Sequence, residues 1–121
     1  MSDSIAFASA TELLSMMRRG ELTSRELLEI YVRRIEAFDP QINAVVARDL
    51  VAARRRADEA DAARQRGELW GPLHGLPMTI KDTYEVAGMP CVAGAAKYKR
   101  HVPQRHAASV QRLVDAGAIV F

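Results

Sequence analysis

Two short apolar runs joined by a helical pattern constrain the fold of this chain most strongly. The stretch GLPMTIKD, residues 75–82, predicts a buried strand from Met78 to Lys81, and the final GAIVF predicts a second strand at 118–121. Between them, apolar residues return at helical spacing from about His106 to Ala116, and Gly117 ends that helix. A strand, a crossover containing a helix and another strand predict a parallel pair in an α/β sheet.

The first 40 residues predict a helical hairpin. Ser9 is followed by Glu12, and Thr23 by Glu26, so each helix begins with a hydroxyl cap and a glutamate three residues later. The first helix is expected to end at Gly20, and the second before the sequence Asp39-Pro40. Their apolar positions are Leu13, Leu14 and Met17 on the first helix, and Leu27, Leu28, Tyr31, Val32 and Ile35 on the second.

A strand and a long helix are predicted next. Residues 42–47, INAVVA, are short, apolar and rich in β-branched side chains, which is typical of a strand. From Asp49 to about Arg66 alanines form a narrow apolar face, and Gly67 closes the helix. On its exposed side, Arg54 with Asp58 and Arg55 with Glu59 have the i,i+4 spacing of helical ion pairs.

Composition bounds the class of protein. The chain has 121 residues, 49% of them hydrophobic, which matches a single globular domain. A net charge of +2 calls for neither nucleic acid nor a membrane surface as a partner. The one cysteine excludes an internal disulfide, no basic signal region opens the chain, and no apolar run approaches the ~20 residues of a membrane helix. These features predict a cytoplasmic protein. Because the chain ends inside an apolar run, residues 1–121 are expected to form a single partial domain, the front of a longer polypeptide.

Lys81 is the residue with the most informative position. Alternation along the predicted strand puts Thr79 and Lys81 on one face and Met78 and Ile80 on the other. One interpretation is a strand-end lysine that pairs with Asp82. The other is a lysine delivered to the carboxyl edge of the sheet, where α/β proteins place their sites, and desolvated so that its neutral amine serves as a general base.

Other residues with reactive or charged side chains give weaker signals. His74, His101 and His106 share no metal-ligand spacing and are interpreted as turn, cap or surface residues. Cys91 could act as a nucleophile only beside a histidine supplied by the fold. The stretch KYKRHVPQRH, residues 97–106, is basic without an acidic residue, and fits either a solvated loop or a contact with RNA or an anionic substrate.

The string GPLHGLPMTIKDTYEVAGMP, residues 71–90, followed by RHAASVQRLVDAGAIVF, resembles the amidase signature family of serine hydrolases. The earlier stretch GELTSRELLEIYVRRIEAFDPQINAVVA is similar to the opening helices and first strand of the same family, so the resemblance covers nearly the whole chain. It implies an α/β fold, here the N-terminal part of the amidase-signature fold, with a helical hairpin followed by strands of a mixed sheet flanked by helices.

The resemblance also implies a chemistry. Family members hydrolyse carboxamides with a Ser-cisSer-Lys triad, and by motif the lysine of this chain is Lys81. Gly75 and Pro77 are expected to shape the loop that aims it. The Gly-Ser-rich stretch that supplies both serines lies beyond Phe121, so the chain alone is expected to be inactive. The expected partners are a small-molecule amide, the remainder of the amidase domain and, as one option, a second copy in a homodimer; no cofactor, metal, membrane or nucleic acid is expected.

The chain departs from the family pattern at four positions. Thr83 stands where many members have asparagine, Cys91 and Ala95 where threonine and serine are common, and His106 where aspartate is usual. These differences leave the triad lysine in place and bear on loop contacts and substrate preference.

Three alternatives stay open. The chain could belong to the A subunit of a glutamyl-tRNA(Gln) amidotransferase rather than to an amidase. It could be a non-catalytic piece that binds RNA or protein through residues 97–106. It could also be unable to fold by itself, since an unpaired apolar strand edge at 118–121 favours aggregation.

Overall fold

The computed structural model describes residues 2–121, with side chains from Ser4 onward. Helix α1, Ser2–Ala6, is a short element that the sequence patterns did not predict. Helix α2 spans Ala10–Arg18 and helix α3 spans Ser24–Phe38, followed by a 3₁₀ turn at Asp39–Gln41. The two predicted capping boxes are confirmed at Ser9 and Thr23, whose side chains each accept a hydrogen bond from the backbone N–H of the glutamate three residues later.

The predicted strand at 42–47 is wrong. The segment begins with Ile42 in the helical region and Asn43 at φ +54°, and it forms no ladder with any other described segment. Ile42 and Val46 are 67% and 61% exposed. Two of its donors are used locally, because the Asp39 carboxylate accepts hydrogen bonds from the backbone N–H groups of Ala44 at 2.7 Å and Val45 at 3.2 Å. A β-branched apolar run becomes a strand only beside a partner strand, and the described residues supply none here.

Helix α4, Leu50–Gln65, forms as expected between an Asp49 cap and Gly67. Its alanine face is fully buried and permits close contact with α3. The predicted Arg55–Glu59 pair is present at 3.8 Å, but the predicted Arg54–Asp58 pair is wrong. Both of those residues instead contact α3: Arg54 binds Glu29 at 2.7 Å and Asp58 binds Arg25 at 2.7 Å.

The carboxylate of Glu29 lies between two guanidinium groups. Arg54 donates to both of its oxygens, at 2.7 and 3.0 Å, and Arg25 donates to one at 3.0 Å. The two hydrogen bonds from Arg54, and next in importance the one from Arg25, hold the pKa of Glu29 below its usual range. Charges that would have paired along one helix therefore join two helices.

The sheet has two parallel strands, β1 at Pro77–Met78 and β2 at Ile119–Val120, with Pro77 opposite Ile119 and Met78 opposite Val120. Helix α5, Ala108–Asp115, lies in the crossover, so the predicted parallel pair is confirmed. Both strands are shorter than predicted, because only these two residues of each form ladder pairs. The α/β class is confirmed, and the described sheet is parallel rather than mixed.

Two glycines let the loop before β1 approach the end of α5. Gly75 donates its N–H to the carbonyl of Gly117 at 2.9 Å, and both residues have positive φ, +76° and +98°. A Cβ at Gly117 would lie 2.7 Å from the Cα of His74, and a Cβ at Gly75 would overlap the Ser24 hydroxyl. The expectation that Gly75 shapes the approach to β1 agrees with this geometry, whereas Pro77 is the first residue of the strand itself.

The core has two clusters that meet at α3. The first cluster packs Leu13 and Met17 of α2 against Leu27 and Ile30 of α3. The second packs Leu28 and Val32 against the alanines of α4 and against β2. Among residues 2–121, no helix is long and apolar enough to cross a membrane.

Candidate active site

The segment after β1 carries Lys81 to the edge of a groove. Beyond the strand the alternation continues as predicted, with Met78 and Ile80 partly buried and Thr79 and Lys81 exposed. The groove has a volume of about 530 Å³. Its lining comes from the segment 44–47, from residues 79–82 and the loop that follows them, and from the chain end at Val120 and Phe121.

The side chain of Lys81 makes no hydrogen bond or ion pair with the described part of the chain, and its carbonyl accepts only the backbone N–H of Tyr84 at 3.0 Å. The interpretation of a strand-end lysine paired with Asp82 is therefore wrong. The Asp82 carboxylate is used elsewhere, accepting from the backbone N–H groups of Val92 at 2.9 Å and Ala93 at 3.1 Å. The amine of Lys81 is exposed and unpartnered at the groove, rather than buried as a desolvated base would be.

A second groove adjoins the first along the same strand. It also measures about 530 Å³, and it lies between the C-terminal part of α3 and the start of β1. The two grooves share Val45, Thr79 and Phe121 in their linings, and none of their lining residues is a serine. The segment 42–47 and the residues after β1 thus face each other across open space.

The loop from Asp82 to Arg105 is irregular, as predicted, but internally bonded. Its two limbs are joined by backbone hydrogen bonds from Gly88 to Pro103 at 2.9 Å and from Cys91 to His101 at 3.0 Å. The side chain of His101 contacts Glu85 at 2.7 Å, which also places an acid beside the basic stretch 97–106. The loop is therefore a folded wall of the site.

The three histidines have structural partners. The Nδ1 of His74 accepts the Trp70 backbone N–H at 3.0 Å, so its Nε2 carries the proton and donates to the Ala60 carbonyl at 2.9 Å. His106 accepts the backbone N–H of Ala87 at 3.1 Å. These contacts agree with turn and cap roles. Within residues 2–121 no cluster of three potential metal ligands occurs.

Cys91 lacks the surroundings of a nucleophile. Its thiol contacts the Asp82 carbonyl at 3.5 Å. Burial raises the pKa of the Cys91 thiol, and the negative charges of Asp82 and Glu85 raise it further. No histidine side chain of the described chain is bonded to it, so a nucleophilic role receives no support.

This environment predicts slow alkylation of Cys91. Because a raised pKa leaves less thiolate near neutral pH, iodoacetamide should react with the native chain about ten times more slowly than with the chain in urea. The native rate should climb as pH rises through the raised thiol pKa, which narrows the difference. The chain has a single cysteine, so the total rate of thiol loss measures this site alone. Equal native and unfolded rates at neutral pH would contradict the prediction.

The hydrogen bonds of Asp82 to the loop at residues 92–93 are the feature of this site that the sequence did not predict. The partners of Asp82 lie ten and eleven residues along the chain, inside an irregular loop, and no periodicity points to them. The adjacent lysine was the obvious partner by charge alone. The structure separates the two residues, leaving the lysine free and fixing the aspartate.

Comparisons with known proteins agree on one family. A family model described as Amidase matches residues 26–121. The chain is 36% identical over 111 residues to an acylamidase of Rhodococcus erythropolis, covering 92% of this chain and 23% of that protein. It is also 36% identical over 115 residues to the A subunit of the glutamyl-tRNA(Gln) amidotransferase of Moorella thermoacetica, covering 95% of this chain and 24% of that protein.

Solved structures share the fold. The native peptide amidase of Stenotrophomonas maltophilia superposes with a TM-score of 0.84 at 36% identity, over 96% of this chain and 24% of that one. The chain thus spans about a quarter of the length of the relatives that it matches.

Proposed function

Because the chain belongs to the amidase signature family, we propose that it is the N-terminal part of an amidase domain that hydrolyses small carboxamides, with Lys81 as the catalytic lysine. The observation that carries the proposal is the unpartnered amine of Lys81 at the groove beyond β1. The role assigned to it comes from the family motif Lys-Asp at the end of this strand. Exposure in the groove is compatible with that role, because further protein covering the groove would desolvate the amine.

The proposed reaction is acyl transfer to a serine followed by hydrolysis. A neutral Lys81 amine takes a proton through a bridging serine from the nucleophilic serine, whose oxygen attacks the amide carbon. The carbon–nitrogen bond breaks as the leaving nitrogen receives a proton, and ammonia or an amine departs. Water then attacks the acyl-enzyme, which releases a carboxylate and restores the serine. Backbone N–H groups near the nucleophile hold the oxyanion.

In this proposal both serines come from outside the described chain. Ser9 caps α2, Ser15 accepts from the Arg19 side chain at 2.6 Å, and Ser24 is buried against Met17. No serine lines either groove. The grooves and the unpaired segment 42–47 also offer space and backbone groups to further strands. These features support residues 1–121 as a partial domain.

The chain alone is therefore expected to be inactive. We expect the 121-residue chain to release no ammonia from a simple aliphatic or aryl carboxamide, and a polypeptide of full amidase length from the same locus to release it. The comparison needs both proteins at equal concentration in one ammonia assay. A stop codon directly after Phe121 in the native gene, or an inactive full-length polypeptide, would overturn the amidase proposal.

An amidotransferase component is the second candidate, because a protein of that name is as similar to this chain as the acylamidase is. The full-length polypeptide separates the two. Hydrolysis of simple amides without other protein components supports the amidase. Ammonia transfer that requires partner proteins and a misacylated tRNA supports the amidotransferase.

A further inference from the structure

Asp82 joins the end of the β1 segment to a distant turn of the loop. One of its carboxylate oxygens accepts the backbone N–H of Val92 at 2.9 Å and the other accepts that of Ala93 at 3.1 Å. Its carbonyl lies 3.1 Å from the Ala93 nitrogen and 3.5 Å from the Cys91 sulfur. The residue directly after Lys81 is thus bonded through both its side chain and its main chain.

The turn that Asp82 binds has an unusual backbone. Ala93 has φ +51°, a left-handed conformation that a residue with a Cβ rarely adopts, and Gly94 follows at +69°. The N–H groups of Val92 and Ala93, at the start of this turn, both point toward the Asp82 carboxylate. The negative charge of that carboxylate strengthens both hydrogen bonds.

We infer that Asp82 is a positioning residue for Lys81, an inference that rests on the proposed catalytic role of that lysine. The Lys81 side chain has no partner among the described residues, and its carbonyl accepts only the local N–H of Tyr84 at 3.0 Å. The ladder of β1 has already ended at Met78. The anchoring of Asp82 to the 92–93 turn therefore fixes the peptide from which Lys81 enters the groove.

The chemistry of the anchor requires a carboxylate. An ionised aspartate presents acceptors on both oxygens, so it satisfies two N–H groups at once. Asparagine has one acceptor oxygen, and its NH₂ group would face the second N–H. Asp82→Asn therefore removes one hydrogen bond and creates a donor–donor contact at the 92–93 turn.

The test uses the full-length polypeptide and a simple carboxamide. We expect Asp82→Asn to lower kcat about 10- to 100-fold with KM within about 2-fold, because a misplaced base impairs the chemical step rather than substrate binding. Asp115 is an exposed aspartate that contacts Gln111, so Asp115→Asn is the matched control and should change neither kcat nor KM.

A second variant covers the case in which Asp82→Asn does not fold. Asp82→Glu keeps the charge and both acceptors but adds a methylene, so it should lower kcat about 3- to 10-fold and leave KM within about 2-fold. Wild-type kcat and KM in a folded Asp82→Glu variant would overturn the positioning role. Asp82 variants that lower only the yield of folded protein, without lowering its kcat, would also overturn the positioning role.

Lys81→Ala, measured alongside, separates the two levels of the proposal. If Lys81→Ala retains activity, the proposed function is wrong and Asp82 has no catalytic lysine to position. If Lys81→Ala is inactive while the Asp82 variants behave as wild type, only the positioning inference is wrong.

Discussion

Lys81→Ala is expected to lower kcat/KM for amide hydrolysis by about 10³-fold or more in the full-length polypeptide, because it removes the proposed proton acceptor of the serine relay. The fold should survive. Lys81 is exposed and has no partner within residues 2–121, so its truncation leaves no cavity and no buried polar group. Steady-state kinetics and the circular dichroism spectrum together check both parts of the expectation.

Two further lysine variants sharpen this test. Lys81→Arg keeps a positive charge but cannot lose its proton near neutral pH, so it should be as inactive as the alanine variant. Lys99→Ala removes a lysine from the exposed basic stretch and should retain wild-type kinetics. Substantial activity in Lys81→Arg would show that charge, and not proton transfer, is what the site requires.

Asp61→Ala is expected to produce the largest loss of stability among the polar substitutions, about 3–5 kcal/mol, the cost of removing one partner from a buried ion pair. The Asp61 carboxylate on α4 accepts the backbone N–H groups of Ser24 at 2.8 Å and Arg25 at 3.0 Å. It also accepts from Arg64 at 3.0 Å, and both side chains of that pair are largely buried, with 13% and 16% of their surfaces exposed. In Asp61→Ala, the two backbone N–H groups and the Arg64 guanidinium all lose this hydrogen-bond acceptor.

Arg64 adds to the cost of the Asp61 change. Its guanidinium donates to the Met17 carbonyl at 3.1 Å, while its buried Nε has no partner within the described chain. Without Asp61 this group would remain a poorly compensated buried charge that links α4 to the end of α2.

Urea unfolding of the same polypeptide with and without each change measures the effect. Asp58→Ala is the control, because Asp58 lies one turn away on α4, is exposed and bonds to Arg25 at the surface, so its loss should cost about 0–1 kcal/mol. Similar unfolding free energies for the two variants would refute the view that Asp61 ties the two helices together.

Local signals in the sequence predicted most helix ends correctly. Ser9 and Thr23 satisfy N–H groups three residues away, and Gly20, Gly67 and Gly117 adopt the positive φ that follows a helix, so these features need only a few neighbouring residues. The parallel pair followed from the predicted helix in the crossover between the two strands. The family motif at residues 71–90 pointed to Lys81.

Predictions that depended on distant partners failed. Arg54 was expected to bind Asp58 on its own helix, but Glu29, 25 residues away, offers both carboxylate oxygens in a bidentate contact. Residues 42–47 have the composition of a strand but no adjacent strand within the described chain.

The sequence by itself therefore determined where most of the helices begin and end, the direction of the two strands and the family to which the chain belongs. Only the tertiary structure decided that Lys81 is free at a groove while Asp82 binds the 92–93 turn. The physical reason is that caps and turns are satisfied within one turn of chain. Ion pairs and buried carboxylates instead bind donors that folding brings near, so spacing along the sequence does not identify their partners.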